Sequence, residues 1–310
     1  MTAYNKMTMR MAINLAAPHT WPASLGPSIF GCVWCILKGY SLMPLQTLAL
    51  IAASVLMQAA VNSLNDYIDY IKGSDSTDDM LERSDAVLLY ENINPKDALW
   101  LSIGMLFAAL IFGIYVISTS NLIPLWIGMI GAICVFLYSG GKTPISYLPI
   151  GEIVSGFVMG GLIPLACAAA ATCEWHFEVL FYALPFIISI ALIMLNNNGC
   201  DIEKDIKAGR KTLPVLLGRE KTRKLQKASV IVWIVLLWIL PIMLMGPLGA
   251  VCGIAAHFAA RKPMTALMNS PLDQQHRIMQ MRTVLKCNKY ANGIYILTLI
   301  LGIFVKYFAG

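Results

Sequence analysis

The chain has 310 residues, of which 58% are hydrophobic and only 13% charged, with a mean hydropathy of +0.68. That composition excludes a soluble domain with one large core and indicates an integral membrane protein. The formal net charge of +6 accompanies long uncharged runs, so the basic excess reads as a membrane-orientation bias and not as a nucleic-acid footprint.

About 20 residues cross the hydrocarbon of a bilayer. The apolar runs therefore predict an all-α, polytopic membrane protein with nine transmembrane helices, near 21–38, 44–70, 97–118, 121–139, 152–172, 177–200, 228–245, 247–261 and 289–308. The seventh and eighth share an uncharged run between Lys227 and Arg261, where Pro241 and Gly246-Pro247 predict a tight hairpin of two short spans. If the N-terminus is cytoplasmic, nine crossings put every Lys and Arg except Lys38 and Lys306 on the inside.

Met1–Leu15 carries Lys6 and Arg10 but no apolar region followed by a small-residue cleavage site, so no removed signal peptide is expected. Thr20 is placed to cap the first span and Pro22 to sit in its first turn. Cys32 and Cys35 form a CxxC inside that span. No second ligand pair of matching spacing exists in the chain, so they read as small apolar filler.

The second span has no charge from Gly39 to Asn65 and then ends in Asn62-Ser63-Leu64-Asn65-Asp66-Tyr67-Ile68-Asp69. Asn62, Asn65, Asp66 and Asp69 fall at i, i+3, i+4 and i+7, on one helix face. An ionised Asp near the centre of a membrane helix costs roughly 2.5–3.5 kcal/mol on insertion scales, so this face must look into the bundle, close to water or a cation. The polar loop 75–94 follows directly over these carboxylates and is a candidate lid, with Asp75 and Arg83 its first residues to test. Asn94-Pro95 then supplies an N-cap and first turn for the third helix.

The third and fourth spans read as a helical hairpin ending at Tyr138-Ser139-Gly140-Gly141-Lys142. Lys142 has two readings, an inside-facing anchor or a contact to an anionic ligand on the side of the carboxylates. Glu152 opens the fifth helix, where its charge suits the N-terminal dipole.

The sixth span repeats the chemistry of the second in Asn196-Asn197-Asn198-Gly199-Cys200-Asp201-Ile202-Glu203-Lys204-Asp205, with Asn197, Asp201 and Asp205 at i, i+4 and i+8. Two carboxylate pairs on two helix ends, with the amide oxygens of Asn65 and Asn197 behind them, make a hard oxygen donor set. Such a set suits Mg²⁺, which prefers carboxylates plus the phosphates of a substrate, so a diphosphate is the expected ligand. Lys207, Arg210 and Lys211 lie close enough to Asp205 to meet the outer oxygens of that diphosphate, and Lys211 is favoured over Arg210.

These pieces resemble the UbiA superfamily of intramembrane aromatic prenyltransferases. Asn65-Asp66-x-x-Asp69 with Lys72-Gly73-Ser74-Asp75 is similar to the first aspartate-rich motif of its 1,4-dihydroxy-2-naphthoate polyprenyltransferase branch. Asn197-Asn198-x-x-Asp201-x-x-x-Asp205 through Gly209-Arg210-Lys211-Thr212-Leu213-Pro214 is similar to the second. Tyr138 to Lys142, Pro144 to Tyr147, Gly151-Glu152 and Pro18 to Ser24 resemble that branch as well. The chain departs from the family with Ala17-Pro18 where Arg-Pro is usual, and with Glu82-Arg83-Ser84-Asp85-Ala86 where a Gly-Pro-x-Arg element is usual. Both departures bear on the acceptor or the prenyl length.

The resemblance implies a single domain over 1–310, with nine helices around a central cavity under cytoplasmic cap loops. It implies Mg²⁺-dependent transfer of a polyprenyl group from a polyprenyl diphosphate to an aromatic acceptor, most simply 1,4-dihydroxy-2-naphthoate in menaquinone biosynthesis, at a site open to the cytoplasm in the plasma membrane. Asp66, Asp69, Asp201 and Asp205 would be the catalytic carboxylates and, with Asn65 and Asn197, the metal donors. Asn62, Lys72, Lys142, Arg210 and Lys211 would contact the diphosphate. Asp75, Arg83 and Tyr138 would serve a lid or the acceptor. Two other classes use intramembrane carboxylates: a transporter or cation channel, and a phosphatidyltransferase of the CDP-alcohol type, whose Asp-Gly-x-x-Ala-Arg run is missing here.

Overall fold

A computed structural model describes residues 4–73, 81–84, 86–141 and 143–309, and every regular element among them is helical. A short α1 (Met9–Leu15) and a 3-10 turn (Pro18–Thr20) lead into α2 (Pro22–Leu37) and the long α3 (Pro44–Lys72). Short α4 (Val87–Glu91) precedes α5 (Pro95–Thr119) and α6 (Ile123–Ser139). Next come α7 (Gly151–Phe157) and α8 (Ile163–Thr172), joined by a π-helical turn, Val158–Leu162. The rest comprises α9 (Glu178–Tyr182), α10 (Leu184–Cys200), α11 (Ile202–Lys207), α12 (Leu213–Leu217), α13 (Arg219–Met245), α14 (Ala250–Met268) and α15 (Arg277–Ala309).

Prolines in the first turn start α2, α3, α5, α6, α8, α10 and α12, where the missing N–H costs nothing. Asn94 caps α5 as expected, accepting the Lys96 N–H at 3.0 Å. Thr20 does not cap α2. Its hydroxyl donates to the Ala17 carbonyl at 2.9 Å and accepts from Gln58 and Asn62 of α3 at 3.1 and 3.0 Å, so it holds the preceding turn against α3 instead.

By length and hydropathy five stretches can cross a membrane: Pro44–Lys72, Pro95–Thr119, Gly151–Thr172, Arg219–Met268 and Arg277–Phe308. Met9–Thr20 and Pro22–Leu37, bent by 56°, make a sixth if they are counted together, and Ile123–Tyr138 and Leu184–Cys200 are shorter apolar helices. The chain is thus a multi-pass membrane protein. Within Arg219–Met268 the backbone breaks at Gly246 (φ 66), and Gly253 of α14 lies against the indole of Trp238 of α13, so α14 folds back on α13.

Helices α13, α14 and α15 extend past the expected boundaries of 228, 261 and 289, to Arg219, Met268 and Arg277. The expected limits follow the edge of the apolar run. Lys, Arg, Gln and Met are good helix formers, so the helices continue as charged extensions on one side of the bundle.

The core is built on aromatic side chains from four helices. Phe30 of α2 lies 5.0 Å from Phe186 of α10 and 5.5 Å from Tyr295 of α15, centroid to centroid, while Trp34 and Trp233 of α13 are fully buried beside them. Elsewhere backbones approach closely on small residues, the usual means of packing where lipid weakens the hydrophobic drive between helices. Gly160 is one such place: a Cβ there would stand 2.5 Å from the Ile187 nitrogen of α10. We therefore expect Gly160→Ala to lower stability by about 1–3 kcal/mol through overpacking, read as a lower melting temperature of the detergent-solubilised protein. An unchanged melt would show that α7, α8 and α10 separate freely.

Candidate active site

The first carboxylate motif closes α3. Its predicted face is real: Asn62, Asn65, Asp66 and Asp69 all line one cavity of about 770 Å³. Asp66 is buried and accepts the backbone N–H of Val87, at the start of α4, at 2.9 Å. Asn62 donates to the Ala16 carbonyl at 3.3 Å and to Thr20 Oγ1 at 3.0 Å, so it fixes the turn before α2. Lys72 stacks over the Tyr147 ring, 5.5 Å from its centroid.

The second motif spans the end of α10 and the start of α11. Asp201 and Asp205 are both buried, and Asp205 Oδ2 accepts from the Thr212 hydroxyl at 3.1 Å. Between the motifs stands Arg210. Its Nη1 is 3.5 Å from Asp205 Oδ1 and its Nη2 is 3.8 Å from Asp69 Oδ1, with the guanidinium 4.8 Å over the Tyr147 ring. Lys211 is exposed and meets the same tyrosine only through its backbone, its N–H donating to the Tyr147 carbonyl at 2.8 Å. The pair thus divides oppositely to the sequence expectation, because the turn after α11 aims Arg210 inward and Lys211 out.

A second guanidinium serves Asp201. Arg277, the first residue of α15, places Nε 3.2 and 3.3 Å from the two Asp201 oxygens and donates from Nη2 to Asn197 Oδ1 at 2.6 Å. Sequence reasoning missed it, since it lies in what hydropathy assigns to a loop. Beneath the motif, Asn198 donates to Glu152 Oε1 at 2.8 Å in a fully buried pair, so Glu152 supports α10 as well as opening α7.

The cavity walls are mostly apolar, and Tyr138 lines them with Asn197 and Arg277. Arg83 is placed elsewhere: it stacks on Tyr90, 5.6 Å from the ring centroid, while its neighbours Glu82 and Ser84 line the cavity. Asp75 and Lys142 lie outside the described residues.

Among the described residues no group of three or more His, Cys, Asp or Glu could hold a metal ion. The carboxylates instead come in pairs, two on each helix end, with guanidinium groups against them. Mg²⁺ keeps several waters and takes one or two carboxylates plus substrate phosphates in place of an all-protein cage. The donor set fits a cation shared with a bound phosphate group.

The profile of the UbiA prenyltransferase family matches residues 24–280. A 1,4-dihydroxy-2-naphthoate octaprenyltransferase of Bacillus subtilis (strain 168) is 28% identical over 308 residues, covering 99% of this chain and 96% of its own. One of the same description from Haemophilus influenzae is 31% identical over 229 residues, 69% of this chain and 71% of that protein. Among solved structures, a UbiA homolog from Archaeoglobus fulgidus bound to GPP and Mg²⁺ has the same fold, with a TM-score of 0.63 at 18% identity over 95% of this chain and 100% of that one.

The charge balance at Asp205 is measurable. Burial pushes its carboxyl up from 3.8 to about 6, and Arg210 offsets part of that rise. A group that holds its proton more tightly folded than unfolded contributes stability below its unfolded pKa and loses it as pH rises through the folded value. Without divalent cation, the melting temperature should therefore fall between pH 3.8 and about 6, and Asp205→Asn should flatten that slope. Equal slopes in the two proteins would show that Asp205 is not the group strained by burial.

Proposed function

The chain belongs to the UbiA prenyltransferase family, and from that premise we propose that it transfers a polyprenyl group from a polyprenyl diphosphate to 1,4-dihydroxy-2-naphthoate. The family membership makes it a prenyltransferase and sets aside the transporter and phosphatidyltransferase readings. The acceptor is the one carried in the names of the two bacterial relatives. One observation carries the site assignment: carboxylates from two separate helix ends meet one guanidinium, Arg210, beside an apolar cavity.

In this reading Asp66, Asp69, Asp201 and Asp205, with Asn65 and Asn197, hold Mg²⁺, which when bound supplies positive charge to the leaving diphosphate. Arg210 shifts its hydrogen bonds to the outer phosphate oxygens as negative charge grows there, and Lys72 adds a second cation from α3. Lys142 would do the same from the turn after α6. The allylic C–O bond breaks with its electron pair going to the diphosphate, and the allylic cation forms a C–C bond with an electron-rich ring carbon. That carbon's C–H bond then breaks, its electrons restoring the aromatic ring and its proton going to the departing diphosphate. Apolar walls keep water from that cation. In this reading Tyr138, which lines the cavity, contacts the ring.

The same reading takes the chain as one domain over 1–310, with nine crossings of the plasma membrane, the N-terminus in the cytoplasm and both Asp motifs opening there. The distribution of Lys and Arg supports it, since every one except Lys38 and Lys306 then lies inside.

Purified protein should release diphosphate from a polyprenyl diphosphate only with Mg²⁺ and 1,4-dihydroxy-2-naphthoate present, with the prenylated product seen by mass spectrometry. Release without any aromatic acceptor would count against the transferase reading. Asp66→Asn and Asp201→Asn should each lower turnover by orders of magnitude while the protein still inserts and purifies, and near-wild-type turnover in both would sink the carboxylate assignment.

Arg210→Gln removes a charge-assisted contact worth about 1.5–3 kcal/mol, roughly ten- to a hundredfold in rate or donor affinity. Lys211→Gln should stay close to wild type. Donor-concentration kinetics on the two variants would reverse the assignment if Lys211→Gln were the more impaired.

A further inference from the structure

The turn between α14 and α15 is held far more firmly than a connecting loop requires. Leu272 is fully buried with φ 54, a left-handed backbone that a branched side chain adopts only when its surroundings impose it. Its N–H donates to Gln280 Oε1 at 2.6 Å and its carbonyl accepts from Arg219 Nε. The Ser270 hydroxyl bonds the same Gln280 oxygen, while Gln280 Nε2 donates to the Asp273 carbonyl at 2.9 Å and to Cys200 Sγ at 3.4 Å.

All of these restraints converge on the second carboxylate motif. The Leu272 side chain packs on Gly199, where a Cβ would stand only 3.0 Å from it. Cys200 adjoins Asp201. Arg219 pairs with Glu203 through two bonds of 2.8 Å, between Asp201 and Asp205 in the chain. On this platform Arg277 presents one fork to two different groups, both Asp201 oxygens and the Asn197 amide oxygen, and it is itself buried in the cavity wall.

We infer that the turn 269–276 and the start of α15 form a third part of the active site, in which Arg277 is a positioning residue that orients Asp201 and Asn197 toward the divalent cation. This rests on the metal-site reading given above. An anchor for membrane orientation would have its charge in water, whereas Arg277 is buried. A bond that only tied α15 to the bundle would not need two partners from one ligand face, Asn197 and Asp201 at i and i+4. A planar guanidinium meets a carboxylate and an amide oxygen from one rigid fork, whereas a lysine ammonium is a compact charge on a flexible stem and fixes neither partner's direction. Groups that orient metal ligands typically change metal affinity about 10–100-fold when removed.

The test uses the full-length protein with geranyl S-thiolodiphosphate, an unreactive donor, and follows the Mg²⁺ concentration at half of the thermal shift. In Arg277→Gln that midpoint should rise about 10–100-fold, and in Arg277→Lys it should rise by less but stay above wild type. A midpoint within twofold of wild type in either folded variant overturns the inference, as does a fall, which would mean that Arg277 competes with the cation. Should Arg277→Gln not fold, Arg277→Lys decides alone. Asp201→Asn separates the two levels: if it leaves the Mg²⁺ midpoint unchanged, the metal-site reading itself fails, whereas a shift there with none in the Arg277 variants removes only the role of Arg277.

Discussion

Carboxylates at the membrane end of a helical bundle have to be neutralised, and much of the architecture of this chain answers that demand. Water would do it for an exposed pair, but Asp66, Asp201 and Asp205 are buried. Burying one unpaired charge costs several kcal/mol, which no single packing contact in the bundle repays. The chain meets the cost with two guanidinium groups, Arg210 between Asp69 and Asp205 and Arg277 on Asp201, and with the Val87 N–H on Asp66. Each partner comes from a different segment. The neutralising contacts therefore join α3, α4, α11 and α15 into one layer.

Below this layer a buried polar network ties three helices together. Asn288 and Asn292 of α15 both donate to Ser189 Oγ of α10, at 2.9 and 2.8 Å, and Asn292 accepts from the Trp233 indole at 3.2 Å. In lipid an unsatisfied amide has no water to turn to, so such a chain of bonds fixes the register of α10, α13 and α15. Because α10 carries the second motif at its end, that register also sets where Asn197 and Asp201 stand.

Much of this was legible in the sequence, and the parts that were not share a cause. Apolar run length located the helices, and an i, i+3, i+4, i+7 pattern put Asn62, Asn65, Asp66 and Asp69 on one face. Both signals are local. Arg277 is invisible to them because its partners lie 76 and 80 residues upstream and because a hydropathy boundary cuts α15 short of it. The inward placement of Arg210 and outward placement of Lys211 was out of reach for the same reason: it depends on Tyr147, which stacks on one of them and takes the backbone of the other. Thr20 has the residue type of a cap, but Gln58 and Asn62 engage its hydroxyl and leave the start of α2 without a side-chain cap. A usable signal did exist for Arg277, in the i, i+3 spacing of Arg277 and Gln280 ahead of the apolar stretch of α15.

The π-helical turn Val158–Leu162 links the charged layer to the apolar walls. One extra residue in a turn shifts the face that a helix presents, and such bulges recur at functional sites. Here Ser155 precedes the turn, Val158, Met159 and Leu162 lie within it, and all four line the cavity, at i, i+3, i+4 and i+7, the spacing of one helix face. On the opposite side of the same turn Gly160 meets the backbone of α10 at Ile187. The helix that braces the second carboxylate motif from behind, through Glu152 and Asn198, thus presents one apolar face to the cavity and packs its glycines on α10.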